Sequence, residues 1–446
     1  MSSPGAAKKV HIATFGCQMN RYDSDRLAEL LAAHGYSLSE DPAGADLIIL
    51  NTCSVRERAA QKVYSQLGVL KSLKRRRPGL IIGVGGCLAQ QEGARLLENV
   101  PHLDLVFGTD ALEDVPALVD EAVRGRRRVH TPRPRRASLA RTSVAGPGEL
   151  KALVTVMQGC DNYCAYCVVP YVRGPERSRP AGEILEEVAA RVEVGAREVT
   201  LLGQNVNSYR DPGGVDFPEL LRRVAAVPGL WRVRFTTSHP KDLSPRLIET
   251  MAGEERVMEQ LHLPAQAGSD RVLAAMRRGY TCEQYLAKVR AFRRAIPQGA
   301  LGGDIIVGFP GESEEDFAQT MRLLEEVRYD FLFSFKYSDR PRTVARRLKG
   351  KLPEEVKARR LKELQARQRQ ITLAIHQALE GSVQEVLVEG PAKRGQGLMT
   401  GRSRAGRAVN FPGGEELVGR LVRVRIDQGR VNSLLGQVVA DTTREV

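Results

Sequence analysis

Cys160, Cys164 and Cys167 stand in a C-x-x-x-C-x-x-C arrangement directly after an apolar run. Three thiolates in so short a span suit three irons of a [4Fe-4S] cluster, and without a nearby fourth cysteine one iron stays open to another ligand. Zinc competes for thiolates, but a structural zinc site wants a fourth Cys or His at ordinary finger distance, and none follows. Cys17, Cys53 and Cys87 lie far apart in sequence, yet each follows an apolar run: Phe15-Gly16-Cys17, Leu50-Asn51-Thr52-Cys53 and Val84-Gly85-Gly86-Cys87. Parallel strands end at one edge, where open α/β sheets place their ligands, so these three thiols can converge on a second cluster with an open iron. Three small hydrophobes in a core is the competing reading. Cys282 has no partner in sequence and reads as structural, and His11, His34, His102 and His130 lack ligand spacing.

The elements that must position these residues alternate. Val10–Phe15, Ala45–Leu50 and Leu80–Val84 read as strands, each followed by a helical pattern (Arg21–His34, Val55–Leu73, Ala89–Glu98), which predicts βαβ units around a parallel sheet over 9–123. A basic, Pro-containing stretch with Pro132, Pro134 and Pro147 reads as a linker over 124–149. Six further strands are expected at Ala152–Met157, Glu198–Leu202, Trp231–Thr236, Glu259–Leu263, Ala300–Val307 and Asp330–Tyr337. Helix-length segments such as Gly182–Val194, Phe217–Ala226, Ser269–Arg278 and Ser313–Val327 separate them, predicting a partial (β/α)6 barrel with its chemistry at the C-terminal strand ends. Pro353–Glu380 reads as a bridging helix with proline at N1 and Gly381 at C′, closing a barrel domain over 150–380. Short β-rich runs at Val383–Val388, Val418–Ile426 and Gln437–Val439 predict a small C-terminal β-barrel over 381–443. The fold class is therefore α/β with a small all-β terminal domain.

At about 150 residues per domain, 446 residues fit about three domains. With 42% hydrophobic and 27% charged residues, and no apolar run near the ~20 a spanning helix needs, disorder and membrane insertion are excluded. The first residues lack an apolar signal core, so a reducing cytoplasm is expected and the seven cysteines are not expected to pair as disulfides. A net charge of +14, clustered in 71–77, 124–136 and 393–407, points to a polyanionic partner, nucleic acid before membrane. Glycines close two strand ends, in Gly203-Gln204-Asn205 and in the run from Gly303 to Glu312, where backbone can approach a ligand.

Taken together, Thr14-Phe15-Gly16-Cys17-Gln18-Met19-Asn20, Asn51-Thr52-Cys53-Ser54-Val55-Arg56, Gly85-Gly86-Cys87 and the run from Gln158 through the three cysteines to Val168-Val169-Pro170-Tyr171-Val172-Arg173-Gly174 closely resemble the radical S-adenosylmethionine (SAM) methylthiotransferases. Leu202-Gly203-Gln204-Asn205-Val206-Asn207 and Thr236-Thr237-Ser238-His239-Pro240 resemble the tRNA branch that acts on N6-dimethylallyladenosine, and the resemblance runs from about 9 to 442. It implies a methylthiotransferase domain, a radical SAM barrel and an RNA-binding TRAM domain. It also implies two [4Fe-4S] clusters: Cys160, Cys164 and Cys167 hold the one that cleaves SAM to a 5′-deoxyadenosyl radical, while Cys17, Cys53 and Cys87 hold an auxiliary one that carries the sulfur. By the same resemblance two SAM molecules serve, one giving methyl and one the radical; the radical is needed because ordinary acid–base help of ~10²- to 10⁴-fold is too little to activate an inert C–H bond.

By the same resemblance SAM would be bound by Gly203, Gln204, Asn205, Gln266, Ser269, Asp304, Ile306 and Gly308. No catalytic residue is expected beyond the cluster ligands. Lys393, Arg394, Arg402, Arg404 and Arg407, placed in loops of the terminal domain, would grip the anticodon stem-loop of tRNA through its phosphates. A reducing electron donor and a sulfur donor complete the implied partners. The nearest alternatives are methylthiolation of threonylcarbamoyladenosine in tRNA or of a ribosomal-protein aspartate; a non-catalytic iron-sulfur RNA-binding redox sensor is the alternative from another class. One segment departs from the family's pattern: Tyr337 to Ala345 carries Arg342 and Val344 where glycine and proline are typical, so the loop conformation or substrate fit can differ there.

Overall fold

The computed structural model describes residues 8–53, 57–133 and 149–439. Ser54, Val55 and Arg56 of the second cysteine motif, the linker portion 134–148 with Pro134 and Pro147, and residues 440–443 of the terminal domain lie outside the described residues.

The first domain runs β1 (Lys8–Phe15), α1 (Gln18–Ala33), β2 (Tyr36–Leu38), β3 (Leu47–Thr52), α2 (Glu57–Arg76), β4 (Ile81–Gly86), α3 (Cys87–Glu92), α4 (Ala94–Asn99), β5 (Leu105–Phe107), α5 (Val115–Val123) and β6 (Arg128–His130). All pairings are parallel, in the order β2-β1-β3-β4-β5-β6. Every residue of β3 and β4 is buried, as expected for strands covered by helices on both faces. Alternation splits them between two cores: Ile48 and Leu50 pack with Val63 and Leu67 of α2, while Leu47 and Ile49 pack with Leu27 and Leu31 of α1 and Val115 and Val119 of α5. Two differences from the sequence reading stand out. Arg128–His130, inside the segment read as linker, pairs as the sixth strand, and the expected helix 89–98 breaks into α3 and α4 at Gly93, whose φ is +53°.

The second domain continues with β7 (Lys151–Thr155), β8 (Met157–Gln158), α6 (Val169–Val172), β9 (Arg177–Ser178), α7 (Ala181–Glu193), β10 (Glu198–Leu202), α8 (Phe217–Ala225), β11 (Arg232–Phe235), α9 (Pro245–Gly253), β12 (Gln260–His262), α10 (Asp270–Ala275), α11 (Cys282–Ala295), β13 (Ala300–Val307), α12 (Glu314–Val327), β14 (Phe331–Lys336) and α13 (Glu354–Gln377). Two three-stranded parallel sheets, β7-β10-β11 and β12-β13-β14, meet through a single bridge, Val233 to Val257, and share one core. This is an open half-barrel of six strands. Pro353 is the N-cap of α13 rather than N1, its ψ of 150° leaving it outside the helix, and the helix ends at Gln377 with Ala378 as C-cap, so Gly381 lies beyond C′.

The terminal strands β15 (Val383–Pro391), β16 (Leu398–Ser403), β17 (Ala408–Pro412), β18 (Leu421–Gly429) and β19 (Leu434–Val438) close a barrel around Val386, Val409, Phe411, Val424 and Leu434. Arg402 stands within β16, not in a loop as expected from the sequence. No helix among the described residues is long and apolar enough to cross a membrane.

Candidate cluster and cofactor site

Register brings the first cysteine set together. Phe15 pairs with Thr52, and Thr52 with Gly86, so β1, β3 and β4 end level and deliver Cys17, Cys53 and Cys87 to one sheet edge. Asn20 and Asn51 fix the loops: Asn20 Oδ1 accepts from the Cys17 amide at 3.3 Å, and Asn51 Nδ2 donates to the Asn20 carbonyl at 2.7 Å and to Ser24 Oγ at 2.9 Å. Glycine is required at position 16, where a Cβ would stand 2.9 Å from that of Cys53. A hydrogen bond with Cys53, opposed by burial and helped by the Arg173 guanidinium, lowers the Cys17 thiol to about 6. Burial pushes Cys87 up, against the pull of the same Arg173. Among the described residues no group of three or more His, Cys, Asp or Glu is drawn tightly enough to hold a single metal ion. A cubane, in contrast, spreads its thiolates over separate irons.

The second set lies on the loop after β8. The Cys160 amide donates to the Gly174 carbonyl at 3.1 Å and the Cys167 amide to the Cys164 carbonyl at 2.9 Å, fixing the loop that carries the three cysteines. Gln204 Oε1 accepts from the Gly159 amide, so the end of β10 anchors this loop. Burial raises the Cys160 thiol and, with Cys164 beside it, pushes Cys167 to about 12. Buried thiols of this kind stay protonated unless a metal takes the charge, which couples thiolate formation to cluster loading. Asn162 Nδ2 donates to Cys160 Sγ at 3.4 Å, and Arg278 Nη1 donates to Cys164 Sγ at 3.3 Å. Arg278 is buried and also donates to Tyr280 Oη at 2.9 Å and to the Pro264 carbonyl at 3.0 Å. Sequence reasoning missed it, because nothing in its local sequence marks a guanidinium that reaches a thiol 114 positions away.

The cofactor residues expected from the resemblance divide. Asn205 Oδ1, after β10, and Gln266 Oε1, after β12, are buried without a partner among the described residues, as are Ser238 Oγ and His239 Nε2 after β11. Such orphans cost about 1–3 kcal/mol each and are expected where a polar ligand completes a site. Burial, then Arg278 and Lys241, lower His239 to about 2, so it is neutral. Asp304 and Ile306 hold Gln266 by backbone bonds of 2.8 and 2.9 Å at its φ of +75°. Gly203 is closely packed, since a Cβ there would stand 2.5 Å from Met157 Cγ. Several expected residues are otherwise engaged: Gln204 holds the Gly159 amide, and the Asp304 carboxylate lies 2.9 Å from His262 Nε2. Ser269 caps α10 and donates to Asp316 Oδ1 at 2.6 Å, and the Gly308 amide donates to Glu312 at 3.0 Å while a Cβ there would strike Lys357 of α13.

The segments that carry the two cysteine sets share one interface. Cys87 packs against Val168 and Val172, just beyond Cys167, and Thr109 Oγ1 donates to the Val172 carbonyl at 2.6 Å. Arg173 forms a buried pair with Asp23, 2.6 Å at its shorter contact, and Arg177 pairs with Asp110 at 2.9 Å. Although burial opposes its charge, Asp23, Cys87 and Cys17 hold Arg173 firmly protonated.

The terminal basic residues also divide. Lys393 and Arg394 are exposed in the turn between β15 and β16. Arg402 lies 3.6 Å from Glu389, Arg404 donates to the Glu255 and Val257 carbonyls at 2.6 and 3.1 Å, and Arg407 forms a buried pair with Asp330. Arg404 and Arg407 thus fasten the terminal barrel to the half-barrel, contrary to the sequence expectation, because unpaired carbonyls and a buried carboxylate face them.

Family models match in three blocks: Uncharacterized protein family UPF0004 over 9–108, Radical SAM superfamily over 154–324 and TRAM domain over 377–439. The tRNA-2-methylthio-N(6)-dimethylallyladenosine synthase of Syntrophobacter fumaroxidans is 51% identical over 445 residues, covering 99% of this chain and 98% of that protein. The protein of the same name from Geobacter metallireducens is 52% identical over 436 residues, covering 97% and 98%. Among solved structures, the radical SAM methyltransferase TsrM of Kitasatospora setae, with cobalamin and a [4Fe-4S] cluster bound, shares the fold at a TM-score of 0.57 and 14% identity, over 76% of this chain and 74% of that one. With half of its residues identical over almost its whole length, the chain belongs to the tRNA-2-methylthio-N(6)-dimethylallyladenosine synthase family of radical SAM proteins.

Proposed function

We propose that this protein transfers a methylthio group to C2 of N6-dimethylallyladenosine in tRNA, beside the anticodon. The observation that carries the reading is the shared interface of the segments that bear the two three-cysteine sets, with Cys87 packed on Val168 and Val172 just after Cys167. SAM and a [4Fe-4S] cluster are the cofactors of its radical SAM domain, and together they supply a 5′-deoxyadenosyl radical able to take hydrogen from an unactivated carbon. Cys160, Cys164 and Cys167 fit that cluster as donors, and Arg278 offsets the charge of their buried thiolates. Asn205 and Gln266, whose side-chain oxygens lack partners, fit the polar groups of SAM at the strand ends. Cys17, Cys53 and Cys87 fit a second cluster, with Arg173 as its nearby positive charge. Cys53, Cys87, Cys160 and Cys164 are buried, while Cys17 is open to solvent. An electron donor and a sulfur donor serve from outside, in the cytoplasm.

The test is anaerobic incubation of the reconstituted protein with SAM, sulfide, a strong reductant and tRNA bearing N6-dimethylallyladenosine, followed by mass spectrometry of the digested nucleosides. A methylthio adduct on that nucleoside is expected. Formation of 5′-deoxyadenosine without the adduct would overturn the substrate while keeping the radical chemistry. Formation of neither in cluster-replete protein would favour the redox-sensor alternative.

A further inference from the structure

The segment between β14 and α13 is the most unbalanced stretch of charge at the barrel mouth. From Lys336 to Lys351 it holds seven basic residues against one acid, Asp339. That acid is neutralised by Lys351, and Glu354 at the start of α13 is engaged by Lys336 and Lys357. Arg342, Arg346, Arg347 and Lys349 are exposed, and no side-chain hydrogen bond or ion pair holds any of them among the described residues. The backbone beneath them is fixed: Thr343 and Ala345 are buried, the Gly311 amide donates to the Gly350 carbonyl at 2.8 Å, and the Ala345 amide donates to the Ala165 carbonyl at 2.8 Å. Ala165 lies between Cys164 and Cys167, so these cations are mounted directly on the loop that carries the second thiol set.

Arg342 adds a second kind of observation. Its φ is +68°, in the left-handed region that favours glycine, so the loop keeps a glycine-like turn while carrying a guanidinium. A strained backbone under an exposed cation, on a segment bonded to the cysteine loop, points to a side chain that serves a contact rather than stability. Arginine is also suited to phosphate, which its planar fork meets bidentately.

We infer that Arg342, Arg346 and Arg347 bind backbone phosphates of the single-stranded tRNA loop beside the reacting nucleotide. This rests on the tRNA reading above and deepens it, since these cations lie on the half-barrel, apart from the terminal domain. They hold the loop over the mouth while Lys393 and Arg394 take another part of the stem-loop.

The experiment measures binding of tRNA bearing N6-dimethylallyladenosine to the full chain across a KCl series. It compares wild type, the triple variant Arg342→Gln, Arg346→Gln, Arg347→Gln, and a control in which Arg290→Gln and Arg322→Gln remove charge from the outer helices α11 and α12. The triple variant is expected to bind more weakly and to lose about 0.7 in log–log salt slope per phosphate contact removed, with the control near wild type. An unchanged slope in the triple variant, or an equal fall in the control, overturns the inference while tRNA binding by wild type leaves the substrate reading standing. Absence of salt-dependent tRNA binding by wild type overturns both. All three side chains are exposed and make no hydrogen bond or ion pair among the described residues, so folding is expected to survive, and circular dichroism with a thermal melt checks it.

Discussion

Arg278 is the residue whose role is most open to measurement. Its buried guanidinium donates to Cys164 Sγ at 3.3 Å, and it is held by Tyr280 and Pro264 rather than by any carboxylate among its hydrogen-bond partners. A fixed positive charge and a hydrogen bond at a cluster sulfur favour the more negative, reduced state, so both tune its potential. Arg278→Gln is therefore expected to move the reduction potential of the Cys160, Cys164, Cys167 cluster to a more negative value. It should also cost the fold about 2 kcal/mol for the lost charged hydrogen bonds. Redox titration followed by electron paramagnetic resonance, in a background where Cys17, Cys53 and Cys87 are Ala, reads one cluster alone. Arg278→Lys should restore part of the potential, and an unchanged potential in Arg278→Gln would reduce the residue to a packing role. Legibility in the sequence follows the same physics. The six cysteines stand out because thiols at strand ends and at short spacing are rare by chance, whereas Arg278 and Asn20 act through space. Arg404 and Arg407 look like phosphate contacts until the carbonyls and the carboxylate facing them are known.

Strands and helices with strong periodicity are where sequence and structure agree best. The fully buried β3 and β4, each opening on an apolar run, and the capped α12 are readable because their patterns are unbroken. The three-residue strands β2, β5 and β6 have no room to show a period and are fixed by pairing alone. What positions the barrel mouth at this scale is a shared cap. Asp316, at the start of α12, accepts from Ser313 Oγ and Ser269 Oγ, both at 2.6 Å, and is paired with Arg271, so one carboxylate holds the N-termini of α12 and α10. Although burial opposes the charge, these bonds from Arg271, Ser269 and Ser313 hold its carboxyl well below the usual carboxylate range. The sign follows from that depression: the stabilisation is full above the unfolded carboxyl value, near 4, and is lost as pH falls through the lower folded value. Asp316→Asn is expected to lower stability by about 2 kcal/mol at neutral pH, judged from its charged hydrogen bonds. In denaturant melts the gap between wild type and variant should narrow steadily from pH 5 to pH 2. A gap independent of pH would mean that the shape of the cap, not its charge, is what counts.

Across the whole molecule, buried arginine–carboxylate pairs join what the sequence separates. Arg173 with Asp23 and Arg177 with Asp110 fix the first domain to the half-barrel, and Arg407 with Asp330 fixes the terminal barrel to β14. Composition can divide a chain into domains, but it carries no record of which charges end up facing each other once the domains dock. The Arg407 pair tests that distinction directly. Removing one partner of a buried pair leaves the other charge uncompensated, at a cost of about 3–5 kcal/mol. Asp330 is closely held, its other oxygen accepting from the Leu301 amide at 2.8 Å, so the strain of losing Arg407 falls on the docking contact. Arg407→Gln is expected to raise hydrogen exchange in the 403–407 turn, whose Ser403 and Gly406 amides are bonded within it, and around β12, where Arg404 reaches the Glu255 and Val257 carbonyls. The salt slope of tRNA binding should stay near the wild-type value, because Arg407 is buried against Asp330. Lys393→Gln with Arg394→Gln should do the reverse, lowering the slope by about 0.7 per contact with exchange at the joint unchanged. If Arg407→Gln lowered the slope and left exchange alone, Arg407 would belong to the RNA surface, and the joint between the two barrels would have to rest on Arg404 and on Arg232, which donates to Glu385 of β15.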